Sequence, residues 1–351
     1  RYAVSTDSFD VTVGAFYFDQ NISYTEVREI PVSTPLTFFG GGDQNQEVLG
    51  LFASGEFRVT DSLAVIAGLR WNQETKDARV TYVRPRTECS VVDGTCPPTG
   101  VNSLIPTENN GFEDRVRFTN LSPKLGLQYE LPRGQVYTHW TRGFRSGGYN
   151  FRITNANAFE AIVGTDFAFG DEQVDNFEIG GKFQTDDGVF TLNLATYVTK
   201  IQDMQREVNQ SDPVSGVAQS IFNTADATIF GVEAETRIRV TDNLIVTGNI
   251  GVIDAEYDEI LFDISGDGVI NDADLNLRIP RVPEMTYGVG FVHELLVGNN
   301  EFITRLNYQY RDDFAFTDDN RGFIQSFNNL EGNITWVTPW DGISLSVYGR
   351  N

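Results

Sequence analysis

The sequence predicts an all-β chain, a transmembrane antiparallel up-and-down β-barrel, and three observations carry that expectation. Apolar and polar residues alternate with a period of two over segments of ten residues or more. Short turns and long connections alternate along the chain without exception. No run approaches the roughly 18 consecutive apolar residues that a membrane-spanning helix requires.

The alternation is clearest in SLAVIAGLRWNQETK (62–76), where Leu63, Val65, Ala67, Leu69 and Trp71 share one face. The opposite face carries Arg70, Asn72, Glu74 and Lys76. FTLNLATYVTK (190–200) sets Phe190, Leu192 and Leu194 against Thr191 and Asn193. FITRLNYQYR (302–311) sets Phe302, Leu306, Tyr308 and Tyr310 against Arg305, Asn307, Gln309 and Arg311. Each is a strand with one face for lipid and one for a polar lumen.

Thirteen strands are expected, at 9–20, 47–60, 62–84, 115–130, 135–150, 173–185, 188–206, 217–239, 243–257, 282–296, 300–311, 325–337 and 343–350. Residues 1–5 read as the tail of an earlier strand. Asp, Asn, Gly and Pro supply the short turns at STDS (5–8), VTDS (59–62), LPRG (131–134), TDDG (185–188), VTDN (240–243), VGNN (297–300) and TPWDG (338–342). The long connections are expected at about 21–46, 85–114, 151–172, 207–216, 258–281 and 312–324, on the extracellular side. A soluble sandwich would have strands of about five or six residues, and a propeller would repeat every 40–50 or so. Neither pattern is present. Residues 1–351 therefore read as one barrel domain. An odd number of full strands leaves unpaired edges that lipid does not tolerate, so further strands are expected before Arg1 and after Asn351.

Composition narrows the function classes. The formal net charge of −23 argues against nucleic acid as a partner. There is no Ser/His/Asp set, phosphate-cradling Gly loop or His cluster, so the chain does not read as an enzyme or as the holder of an organic cofactor. Cys89 and Cys96, in TECSVVDGTCPP, suit a small disulfide in an oxidising compartment better than a metal site; two separate thiols are the alternative.

One stretch carries ion chemistry of its own. In DISGDGVINDAD (263–274) the oxygens of Asp263, Ser265, Asp267, Asn271 and Asp274, with the Val269 carbonyl, fall at positions 1, 3, 5, 9, 12 and 7 of a twelve-residue loop. Gly268 permits the sharp turn at position 6. The spacing fits a structural Ca2+, and the pattern is similar to dockerin-type loops. The alternative is an Asp/Gly-rich surface loop that needs no ion.

Several segments resemble, in order, the C-terminal barrel of TonB-dependent outer-membrane receptors. They are LFASGEFRVTDSLAVIAGLRWNQETKD (51–77), LSPKLGLQYE with VYTHWTRGFRSGGYN (121–150), DEQVDNFEIGGKFQ (171–184), TLNLATYVTKIQDMQ, NTADATIFGVEAET and SVYGRN (346–351). Thr141 stands where Ser is usual in that family and Arg145 where Lys is common. The resemblance implies a 22-stranded barrel, a number that goes with a plugged lumen, about 13 strands of which are present here without the plug. It implies residence in the outer membrane of a Gram-negative bacterium, among lipid and lipopolysaccharide. It also implies a TonB complex acting through a plug, and energised uptake of a scarce solute such as a ferric siderophore or another metal chelate. An oligosaccharide or cobalamin is the alternative cargo, and a passive porin the alternative function. Candidate ligand contacts are Arg142, Arg145, Tyr149, Arg152, Phe159, Phe167 and Phe169, with Phe314, Phe316 and Phe323 in a later connection.

Overall fold

The computed structural model describes residues 1–30, 36–85, 111–212 and 216–351. Fourteen strands form one antiparallel sheet in chain order. They are β1 (Tyr2–Ser5), β2 (Phe9–Ile30), β3 (Leu36–Arg58), β4 (Leu63–Pro85), β5 (Gly111–Leu131) and β6 (Gly134–Arg145). A two-residue pair, β7 (Gly148–Tyr149) and β8 (Ala168–Phe169), brackets helix α1 (Ala156–Val163). The sheet continues through β9 (Glu172–Gln184), β10 (Phe190–Asp212), β11 (Gly216–Thr241) and β12 (Leu244–Ile260). After the short helix α2 (Asp272–Leu275) come β13 (Met285–Val297) and β14 (Asn300–Arg311). A second small pair, β15 (Phe314–Ala315) with β16 (Phe323–Ile324), precedes β17 (Phe327–Val337) and β18 (Ser344–Arg350).

All thirteen expected strands are present, and residues 2–5 form the tail of another. The expected connections at 21–46 and 207–216 are corrected. Residues 21–30 pair with 36–45, and 205–212 pair with 216–223, so these hairpins rise as ladder well past the expected strand ends. The physical reason is that lipid imposes the apolar–polar alternation only at its own depth; beyond it both faces meet water, while the backbone pairing continues. Gly41 shows the geometry required there. Its φ is +137°, and a Cβ would fall 2.0 Å from the Tyr24 carbonyl oxygen. Cys89 and Cys96, with most of the 85–114 connection, lie outside the described residues.

Register shows why period two was so legible. Leu127, Thr138, Ile179, Thr196, Val232 and Val252 stand directly across from one another on six neighbouring strands. Ile179 in that row is 58% exposed. The next row, one residue along, is Gly126, His139, Glu178, Tyr197, Gly231 and Ile253, and it faces the opposite way. There the Tyr137 hydroxyl donates to Glu178 Oε1 at 2.8 Å. One face is an apolar belt and the other a polar wall.

The sheet is strongly curved. Arg152 reaches Glu26 on β2 at 3.2 Å and Gln219 on β11 at 2.6 Å. Those strands are seven places apart in the sheet, roughly 34 Å if it were flat. The buried apolar clusters lie at the end of the long hairpins. One joins Ala78, Val80, Tyr82, Phe112, Tyr149, Ile153, Ala156, Phe159, Val208 and Phe222. The other joins Met204, Ala225, Ala227, Tyr257, Ile264 and Ile279.

Candidate ligand-facing site

The β6–β9 connection, residues 146–171, forms a strap inside the curve of the sheet. Its path begins at Ser146-Gly147-Gly148. The Ser146 hydroxyl donates to Glu74 Oε2 at 2.6 Å, and Lys76, paired with Glu74 at 3.0 Å, donates to the Gly147 carbonyl. Gly147 has no room for a side chain, since a Cβ would lie 2.0 Å from the Phe169 carbonyl oxygen. Asn150 then imitates a strand neighbour: its amide donates to Ile221 O at 3.0 Å and accepts from Ile221 N at 2.7 Å. The returning end is held by Gln205, whose Nε2 donates to the carbonyls of Arg145, Ser146 and Gly170. Asn223 accepts from Gly170 N at 2.7 Å.

Between these anchors α1 starts on Asn155, whose side chain accepts from Ala158 N, and stops at Gly164 with φ 61°. Stacking of apolar side chains, rather than helix propensity, holds so short a helix in place. Phe159 faces Tyr82, Phe112 and Phe222, with ring centroids 6.4 Å away in each case. Tyr82 also donates to Glu160 Oε1 at 2.8 Å.

The expected ligand contacts separate on this scaffold. Phe167 stacks on Phe112 at 4.3 Å, and Tyr149 packs on the same ring at 5.9 Å. The Tyr149 hydroxyl donates to Asp114 Oδ2 at 3.1 Å; burial, reinforced by the Asp114 charge, pushes its pKa up. Arg142 grips Asp175 with two nitrogens, Nε–Oδ1 3.0 Å and Nη2–Oδ2 2.9 Å, and lies over Trp140. Arg152 anchors the strap as described above. Phe169 sits beside Gly148 in the β7–β8 pair. Arg145 is exposed. So the structure joins Tyr149 and Phe167 in one cluster, and gives Arg142 and Arg152 partners within the chain. Glu74, Lys76, Asn150 and Gln205 escaped the sequence reading; the SGG run beside Asn150 was their available signal.

The 263–274 loop folds on its own donors. Asp263 accepts from Gly266 N at 2.7 Å and Gly268 N at 2.8 Å, and Ser265 Oγ donates to it at 3.2 Å. Asp267 Oδ2 and the Val269 carbonyl converge on the Asn271 amide at 2.9 and 3.4 Å. Asp274 is buried, accepting from the backbone of Ile264, Ser265 and Asn271 at 2.9, 2.7 and 3.0 Å. Positions 1 and 3 thus gather in one group and 5, 7 and 9 in another, while position 12 serves the loop backbone. Among the described residues no three His, Cys, Asp or Glu side chains converge as a metal group. The loop also packs on the β14–β17 connection, where Arg321 donates to Ser265 O at 3.2 Å. Nearby, Arg278 pairs with Asp313 at 2.9 Å.

Comparison with known proteins fits this architecture. The family model "TonB dependent receptor-like, beta-barrel" matches residues 2–351. No curated protein matches. The ferric yersiniabactin uptake receptor FyuA from Yersinia pestis superposes with a TM-score of 0.71 at 19% identity, covering 99% of this chain and 46% of that one. The siderophore receptor PiuA from Acinetobacter baumannii gives 0.71 at 14% identity, covering 99% and 49%. The copper transporter OprC gives 0.61 at 11%, covering 95% and 48%. The chain therefore spans about half the length of these solved structures, and at such identities the likeness concerns the fold. A belt of apolar residues, a polar inner wall, strictly sequential antiparallel strands and a full-length family match agree: this chain belongs to the β-barrel family of TonB-dependent receptors, outer-membrane proteins of Gram-negative bacteria and not enzymes.

Proposed function

We propose that this barrel takes up a scarce solute, a ferric siderophore before an oligosaccharide or cobalamin, with energy delivered by TonB through a plug domain. The observation that supports it most is the strap. Tied to both β2 and β11, the strap partitions the inside of the curve, and a gated receptor uses such a partition to shape a binding face. FyuA is a ferric yersiniabactin uptake receptor and PiuA a siderophore receptor, which favours iron chelates. In this reading the end bearing the strap faces the cell exterior, and exposed Arg145 is the strap-side residue placed to meet cargo. The test is growth of a receptor-deficient host on individual ferric chelates, with the full-length gene supplied and TonB present or deleted. Growth that requires both supports the reading. Uptake independent of TonB that does not saturate would show a porin instead.

We also propose a Ca2+ site at 263–274. The oxygens of Asp267 and Val269 already point to one place, now taken by the Asn271 amide, and Asp263 with Ser265 forms a second pair. Binding through all six positions requires Asp274 to leave three backbone donors, so a weak site is expected, on the order of 10⁻⁴–10⁻³ M. Proteolysis of the loop in Ca2+ and in EDTA tests this; equal cleavage rates in both remove the ion from the account.

A further inference from the structure

Two arginines beside the β14–β17 connection are placed for a ligand that the chain itself does not supply. Arg311 lies over Phe314 at 4.6 Å, and Arg281 lies over Phe316 at 5.4 Å. Phe314 and Phe316 are two residues apart, on the same side of the small β15–β16 hairpin and about 7 Å from each other. A third arginine, Arg278, lies over Phe323, but its charge is met by Asp313 at 2.9 Å and Glu284 at 3.5 Å. Among the described residues neither Arg281 nor Arg311 has an ion pair, in a chain of net charge −23. Arg311 gives one nitrogen, Nη2, to the Gln325 carbonyl at 3.1 Å, while its Nε is buried without a partner. Arg281 is held by its backbone N–H on the Ala315 carbonyl at 2.7 Å, which leaves its exposed guanidinium uncommitted.

Orientation decides which partner this pair can meet. On β14, Arg311 shares the polar face with Arg305, Asn307 and Gln309, opposite the face of Leu306, Tyr308 and Tyr310. It pairs directly with Phe327 of β17, which is 52% exposed, and Phe316 under Arg281 is 50% exposed. The shelf therefore opens toward the inside of the curved sheet and not toward lipid, which disfavours a lipid phosphate. A guanidinium laid over a ring presents its uncommitted N–H groups to a carboxylate, here those of exposed Arg281 and the Nη1 of Arg311, and half-exposed phenylalanines accept a flat apolar body.

We infer that Arg281 and Arg311, with Phe314, Phe316 and Phe327, form a recognition site for an aromatic ring bearing carboxylates, as part of the transported solute. This rests on the uptake reading and specifies the chemistry of the cargo. The probe is isophthalate, a benzene ring carrying two carboxylates, in equilibrium dialysis against the full-length receptor in detergent. Dimethyl isophthalate removes the charge, and glutarate removes the ring. Isophthalate is expected to bind at least about tenfold more tightly than either, and its binding to weaken in 0.5 M salt. Arg281→Gln with Arg311→Gln should cost about tenfold or more, and the double Lys variant should fall between, since charge without the guanidinium fork is kept. Heat-modifiable mobility of each variant confirms a folded barrel. Unchanged isophthalate binding in the folded Gln variant, or glutarate and inorganic phosphate binding as well as isophthalate, overturns the site. Growth on ferric chelates, an oligosaccharide or cobalamin, measured in parallel, separates the two claims: its absence on all three in wild type sinks the uptake reading, whereas the dialysis results bear on the shelf alone.

Discussion

Asn150 and Ile221 exchange two hydrogen bonds, amide to carbonyl at 3.0 Å and backbone N–H to amide oxygen at 2.7 Å, across 71 residues of sequence. A side chain here completes the ladder of β11 where no strand is present. Asn150→Ala should leave both Ile221 backbone groups and the strap without that partner, a cost of about 1–3 kcal/mol per buried unsatisfied group. The loss is local, because the strands below keep their pairing. Limited proteolysis should cut within 150–170 faster in the variant, with barrel mobility on gels unchanged; equal cutting would show that Asn150 does not hold the strap.

Gly147→Ala tests the close approach at the strap's origin. Its methyl would meet the Phe169 carbonyl at 2.0 Å and the Phe118 ring at 2.6 Å, so backbone must move. The expected cost is roughly 1–3 kcal/mol, that of overpacking a tight site. Gly349→Ala is the control, with nothing within 4 Å of the added atom. Comparing denaturant midpoints should give a lower value for the first variant and no change for the second.

Ile179→Arg places a charge on the apolar belt. The expected penalty is about 2–4 kcal/mol near the bilayer midplane and less toward its edges. Asn193→Arg, on the opposite face beside Glu235, should be tolerated. Folding yields into lipid vesicles check this; equal yields would mean that the two faces are assigned the wrong way round.

The Asp274 carboxyl is pushed up by burial but held below the usual carboxylate range by the backbone N–H groups of Ser265, Asn271 and Ile264 and the Ser265 hydroxyl. Its folded pKa is thus lower than its unfolded one. The stabilisation is fully present above pH ~4 and is lost as pH falls through the depressed value. Pepsin cleavage of 260–280 should accelerate relative to an unstructured reference peptide as pH drops from 4 toward 2. Asp274→Asn, which cannot ionise, should be cut faster at pH 4 and show a flatter profile. A wild-type profile as flat as the variant's would remove Asp274 from the loop's acid response.

Much of the architecture was legible in the sequence. The turns at 59–62 and 131–134 fall where Asp, Gly and Pro interrupt alternation, and β3, β4, β5 and β6 begin or end beside them. Lipid requires one apolar face at every second position, so Leu69, Leu127 and Ile179 report their orientation individually. The tall upper hairpins were not legible: Thr25, Glu26 and Arg28 pair as regular ladder, but water on both sides removes the period. The site was legible only in composition. Arg142, Tyr149 and Arg152 are chemically suited to ligand, yet Asp175, Asp114 and Glu26 engage them through strand neighbours and through distant chain.

The sequence by itself determined which face of each strand meets lipid, the order of the strands and which end bears the long connections. All three follow from local rules: side-chain alternation, turn chemistry and the need to pair every backbone group in lipid. Curvature was decided only in three dimensions. It brings Glu26 and Gln219 to one guanidinium and folds Phe159 and Phe167 under the strap. It also leaves Arg281 and Arg311 over phenylalanines with no carboxylate of their own. Whether an arginine serves the wall or waits for a ligand depends on which residues the curve brings within about 4 Å, and sequence separation carries no such distance.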